Sequence, residues 1–157
     1  MNITLHARGP NRATNAGTSM IEVLIAILIL VFGVLGVAAL QATALRNNQS
    51  AMEHSQAVVQ TYAILDRMRA NAAEAKIGKY NLGGPGATHW TCSLPDAGGL
   101  AENERREWIQ DLQTNLGSSA CGVIDCNDLT CLIGVQWDDS RGTLGSSTQQ
   151  FVTETRL

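Results

Sequence analysis

From residue 23 to residue 45 the chain contains no Asp, Glu, Lys, Arg or His, and nearly every position is Leu, Ile, Val, Ala or Gly. This gap depresses the overall charged fraction to 16%, against roughly 25% in ordinary soluble domains. Proline is missing from residue 18 to residue 83, so nothing there forbids an uninterrupted helix. Aromatic residues are scarce, at 4%, which leaves a small core few large side chains to build with. Positive charge is not in excess. Lys and Arg number 11 against 14 Asp and Glu, the net charge is −3, and no basic patch stands out, which argues against a nucleic-acid partner. Cysteine is absent until Cys92.

The composition therefore describes an apolar anchor followed by a small polar domain. Residues 23–45 would make a helix of about 35 Å at roughly 1.5 Å per residue. That covers a hydrocarbon core of about 30 Å. Gly33 and Gly36 fall inside it, as glycine often does in membrane helices, where it lets neighbours approach. Arg8 and Arg12 precede the segment, with no acid before Glu22. The positive-inside rule then puts the N-terminus in the cytoplasm and the remainder in the periplasm. A secretory signal peptide would have an apolar core of only about 7–15 residues before a small-x-small cleavage site. This segment is longer and runs straight into more helix.

The four cysteines, Cys92, Cys121, Cys126 and Cys131, all lie beyond the apolar segment. An even number on one side of a membrane suggests two disulfides in an oxidising compartment. Three connectivities exist for four cysteines. The spacing favours a local bond from Cys131 to Cys121 or Cys126, with Cys92 tying its loop to whichever remains. Structural zinc prefers C-x2-4-C pairs. The x4 spacings here, with Cys92 far upstream, favour disulfides, and no metal or cofactor is expected.

Glu22 is the most informative single residue. A carboxylate at the edge of an apolar helix is costly unless paired. It either marks the interfacial end of the span or meets a positive partner when copies pack together. Gly17, four residues, Glu22 and then VLIAILIL resemble the prepilin motif of type IV pilins and pseudopilins. In that family a prepilin peptidase cuts after the Gly on the cytoplasmic side. The new N-terminus is usually N-methylated, and the Glu at the fifth mature position serves assembly. The resemblance implies cleavage between Gly17 and Thr18, methylation of Thr18, and an assembly role for Glu22. Thr18 stands where the family usually has Phe or Met. Loss of residues 1–17 removes two arginines and no acid, which takes the net charge from −3 to −5.

Beyond the span, Leu45, Met52, Val59, Tyr62, Leu65 and Met68 recur at intervals that mark an amphipathic stripe. One helix is expected from about residue 19 to about residue 75, carrying the periplasmic domain on that stripe. LQATALRNNQSA (40–51) and DRMRAN (66–71) resemble the PilV family of type IV pilus modification proteins, a class of minor pilins. The likeness resumes weakly at GVQWDDSRG (134–142). By spacing alone, DRMRAN reads as a solvated helix end with i,i+3 charge pairing. Residues 78–99 are crowded with turn formers and read as a loop tethered by Cys92. Residues 100–116 read as a second helix, with Trp108, Leu112 and Leu116 on one face and Gly117 as its stop. Strands are expected at 121–125, 132–137 and 149–156, with a Gly- and Ser-rich turn at 138–147.

The fold class expected is α+β and pilin-like, with a long N-terminal helix packed on a small antiparallel sheet and a second short helix. It divides into a leader (1–17), a membrane and filament-core helix (18–45), the periplasmic half of that helix (46–77) and a disulfide-containing domain (78–157). No catalytic constellation stands out. DCND (125–128) lacks the Gly and terminal Glu of a calcium loop and reads as a solvated turn. His6 leaves with the leader, His54 lies on the helix and His89 in the loop. Trp90 and Tyr80 read as core fillers. The chain is expected not to be an enzyme.

The resemblance implies a minor pilin. Its partners would be prepilin peptidase, other major and minor pilins, and the inner-membrane assembly platform. It would pass from the inner membrane to the pilus and support assembly, twitching motility or adhesion. A type II secretion pseudopilin shares the N-terminal motif, and an anchored periplasmic protein that never polymerises shares the span.

Overall fold

The computed structural model describes residue 17, residues 19–127 and residues 130–157. The fold is α+β. Two compact units, Met1–Leu40 and Gln41–Leu157, share the first helix between them. Helix α1 runs over Met20–Ala70, 51 residues without a proline. It ends earlier than the expected residue 75. Asn71 leaves helical geometry at φ −122°, ψ 47°, and a short helix α2 (Ala72–Lys76) follows. The Asn71 N–H still reaches the Arg67 carbonyl at 3.1 Å, and the Asn71 carbonyl accepts the Ala75 N–H of α2 at 3.1 Å. Gly78, at φ +79°, then turns the chain away, a conformation glycine adopts at little cost.

The face of α1 that carries the domain matches the expected stripe only at its C-terminal end. Ala57, Thr61, Ile64, Leu65 and Met68 are buried. Leu45, Met52, Val59 and Tyr62 are exposed, at 57–69%. The last two residues of the expected stripe, Leu65 and Met68, do pack in the core, and Ala57, Thr61 and Ile64 complete the buried face in place of Met52, Val59 and Tyr62. Ala57 and Thr61 let neighbours approach, and the Thr61 hydroxyl donates to the Ala57 carbonyl at 2.9 Å, so its burial leaves no unmet polar group.

Helix α3 (Leu100–Leu116) matches the expected bounds. It buries Trp108, Ile109, Leu112 and Leu116. The Trp108 Nε1–H donates to the Gln60 carbonyl of α1 at 3.0 Å. The Arg67 guanidinium lies 3.3 Å from Glu107 and 3.6 Å from Asp111. Arg69 pairs with Asp66 at i,i+3, so DRMRAN does carry the charge pairing its spacing suggests. Arg67, however, joins two helices rather than facing only water.

Strands β1 (Cys121–Asn127), β2 (Thr130–Trp137) and β3 (Gln149–Arg156) form an antiparallel sheet in that order. The central strand alternates as a half-buried strand should. Cys131, Ile133, Val135 and Trp137 turn inward and are fully or nearly fully buried. Strand β1 extends two residues beyond its expected end, so Asp125 to Asn127 of the DCND motif belong to a strand rather than a solvated turn.

Residues 78–99 are more ordered than a simple loop. They contain a 3-10 turn (Pro85–Ala87). Leu82 exchanges backbone hydrogen bonds with Ile124, and Thr91 with Gly122, all at 2.8–2.9 Å. The Asn81 side chain does the same for Cys126. Its Oδ1 accepts the Cys126 N–H at 2.8 Å and its Nδ2 donates to the Cys126 carbonyl at 3.3 Å. This segment covers the outer edge of β1, which an uncovered strand would leave open to pairing with other chains.

Candidate functional site: an apolar helix and its carboxylate

The first half of α1 has no soluble solution of its own. Every described residue from Met20 to Leu40 is exposed, with Met20 at 88% and Phe32 at 66%. An 18-residue window reaches a mean hydropathy of 3.2 with no part buried. A helix apolar on all sides requires lipid or other helices around it. This stretch is long and apolar enough to cross a bilayer.

Glu22 lies in the first turn of that helix. The turn opens on the Ser19 carbonyl, which accepts from the Glu22 N–H at 2.9 Å and the Val23 N–H at 3.3 Å. Carboxylates are favoured at this end because the unpaired N–H groups give it partial positive charge, an effect of about 0.3–1 kcal/mol. Glu22 heads a strip formed with Val23, Ala26, Ile27 and Leu30. Among the described residues its carboxylate has no hydrogen-bond or ion-pair partner. Gly17 is exposed with open space around it. Thr18, the expected new N-terminus, and residues 1–16 lie outside the described residues.

All four cysteines are oxidised in pairs, Cys92–Cys121 and Cys126–Cys131. The second is the local bond allowed by the spacing, between facing residues of β1 and β2. The first ties the 78–99 segment to the start of β1, as expected for Cys92. No thiol is left to coordinate a metal.

Tyr80 and Trp90 pack within the domain. Tyr80 is fully buried. Its hydroxyl donates to the Glu104 carboxylate and accepts from Asn71 Nδ2. Burial, then the bond to Glu104, pushes its pKa up to about 12. Trp90 is half-buried over Gly134, where a Cβ would lie 2.8 Å from its ring. His89 is exposed beside it. Asp125 accepts the Gly86 N–H at 2.8 Å.

Sequence reasoning missed the anchoring of the β2–β3 connection to α1. Asp139 is 4% exposed. Its Oδ2 accepts from Ser50 Oγ at 2.7 Å and lies 3.9 Å from His54 Nε2. The His54 ring meets Trp137 edge-on at 4.9 Å between centroids. Arg141 reaches Glu53 at 3.4 Å. The only advance signal was an adjacent pair of acids, Asp138 and Asp139, in a stretch otherwise read as a polar turn. The Asp138 carboxylate accepts the Ser140 N–H, which holds its pKa below the usual carboxylate range.

No family model, curated protein or solved structure matches this chain.

Proposed function

We propose that the chain is a minor subunit of a type IV pilus, made as an inner-membrane precursor and cut after Gly17. The observation that carries this reading is the all-round exposed apolar helix with a carboxylate in its first turn that has no partner among the described residues. Lipid satisfies the apolar surface of such a helix but not a carboxylate at its edge. A bundle of copies satisfies both, because the free α-amino group of a neighbour can pair with Glu22 while the apolar faces pack together. Support comes also from the Gly17-x4-Glu22 register and from the stretches 40–51 and 66–71, which resemble the PilV family of minor pilins. The paired cysteines fit a domain that matures in the periplasm. The domain then decorates the shaft or tip and aids assembly, twitching or adhesion.

Cells with active prepilin peptidase should yield a chain that begins at Thr18 by mass spectrometry. Glu22→Ala should insert normally but fall about tenfold or more in sheared pilus fractions, since an unpaired N-terminus would be left in an apolar bundle. Unchanged incorporation would remove Glu22 from assembly. An uncut Met1 terminus would leave an anchored protein that does not polymerise. Loss of protein secretion with normal twitching in a deletion strain would make the chain a type II pseudopilin.

A further inference from the structure

The two edges of the sheet differ. At the β1 edge, Gly122 exchanges both backbone hydrogen bonds with Thr91, and Ile124 with Leu82, all at 2.8–2.9 Å. The Asn81 side chain takes up the backbone groups of Cys126. Backbone groups of successive residues in a strand point to opposite sides. Cys121, Val123, Asp125 and Asn127 therefore present theirs to β2, and Cys131, Ile133, Val135 and Trp137 of β2 present theirs to β3. Gln149, Phe151, Thr153 and Thr155 are the partners there. Gln150, Val152, Glu154 and Arg156 are left with N–H and C=O groups pointing away from the sheet. Among the described residues no strand lies beyond β3.

The β3 edge is open to pairing. Its 8 residues pair with β2 in unbroken register and contain no proline or lysine, devices that commonly stop an edge from pairing. Val152, near its middle, is 43% exposed. Glu154 and Arg156 are opposite in charge. The outward row is also complementary to itself. An antiparallel register that sets Val152 against the Val152 of a second copy places Gln150 opposite Glu154 on both sides of it, an amide donor against a carboxylate. A shift of two residues toward the C-terminus sets Val152 against Glu154. A shift of four sets Glu154 against its own copy, and like charges directly opposite destabilise a pair of strands. A shift the other way leaves Val152 against Gln150 and shortens the overlap.

We propose that β3 pairs antiparallel with β3 of a second copy, with Val152 on the two-fold axis, so that the sheets of the two copies become one. The occupant is a second copy because the row Gln150, Val152, Glu154 is its own complement, in backbone donors and acceptors as well as in side chains. The pairing involves the Gln41–Leu157 unit alone and does not depend on the pilus reading.

The test uses the full chain in mild detergent, with one cysteine added at a time. The native cysteines are all paired, so each added thiol is the single free one. In the proposed register Val152 faces its own copy at about 5.5 Å between Cα atoms, within reach of a disulfide. Gln150 lies about 13 Å from its own copy along the strands, at roughly 3.3 Å per residue, and so does Glu154. Under copper–phenanthroline oxidation, Val152→Cys should give several-fold more covalent dimer than Gln150→Cys or Glu154→Cys alone. A mixture of those two chains should give the dimer that neither gives by itself. Glu154→Pro in the Val152→Cys chain removes an outward N–H and none that β2 uses. It should cut the dimer several-fold while circular dichroism stays unchanged. No dimer at position 152, equal dimer at all three positions, or dimer indifferent to Glu154→Pro overturns the proposal. A Val152→Cys adduct from cells whose mass is not twice that of the chain also overturns it, because the edge then belongs to another protein.

Discussion

Gly122 shows how one missing carbon shapes the domain. A Cβ there would lie 2.4 Å from Cζ3 of Trp108 and 2.9 Å from Cδ1 of Ile109. Neither neighbour can retreat. Trp108 is 1% exposed and held by its bond to the Gln60 carbonyl, and Ile109 is fully buried. Gly122→Ala should therefore destabilise the domain by about 2–3 kcal/mol through overpacking. For a domain of this size that is a fall in Tm on the order of 10 °C, readable by circular dichroism. Tyr80 is a second residue whose environment makes a measurable demand. Burial and the Glu104 carboxylate favour its neutral phenol, raising its pKa to about 12, against about 10 unfolded. A raised folded pKa gives stability that is complete below pH 10 and is lost as pH rises through 12. Denaturant midpoints should fall over that window, and Tyr80→Phe should shrink the fall. Absorbance at 295 nm should show one phenol ionising near the upper end.

At the scale of elements, the two disulfides should contribute unequally. Cys92–Cys121 spans a separation of 29 residues and Cys126–Cys131 a separation of 5. The chain-entropy account assigns them about 3.6 and about 2.2 kcal/mol. Replacing Cys92 and Cys121 by Ser should cost more in a urea titration, and should also expose the backbone N–H groups of Leu82 and Thr91 to hydrogen exchange. Replacing Cys126 and Cys131 should cost less, because the β1–β2 ladder still aligns the hairpin. A reversed order would mean that strain in the folded state outweighs loop entropy. These elements were largely legible in advance. The α3 bounds follow from its Trp108, Leu112, Leu116 face and Gly117, and the strands from their alternation. The docking face of α1 was legible only at Leu65 and Met68. Heptad spacing of large side chains led to Met52 and Val59, while the residues buried along that part of the helix are Ala57 and Thr61. The partners of Asp139 were hidden for a related reason. Ser50 and Asp139 lie 89 positions apart, and no local pattern announces such a pair. The disulfide-forming cysteines were legible because their signal is chemical type and spacing, which needs no knowledge of packing.

At the scale of the whole molecule, the apolar run and the core do not overlap in sequence. The core begins at Ala57 and draws on α1, α2, α3 and the sheet, and no described residue of the first unit belongs to it. A chain that starts at Gln41 therefore keeps every core residue, both disulfides and the Ser50–Asp139 and Glu53–Arg141 links. It should stay soluble in buffer without detergent, with a Tm within a few degrees of that of the full chain in mild detergent. The full chain should aggregate once detergent is removed, because the exposed apolar surface of Met20–Leu40 has nothing else to meet. Gel filtration and thermal melts of the two chains make the comparison. If the shorter chain is molten, the first unit supports the domain in some way its exposure does not suggest. If it folds, the two units have separate tasks, and the exposed Met52, Val59 and Tyr62 become surface that a neighbouring helix can cover without disturbing the core.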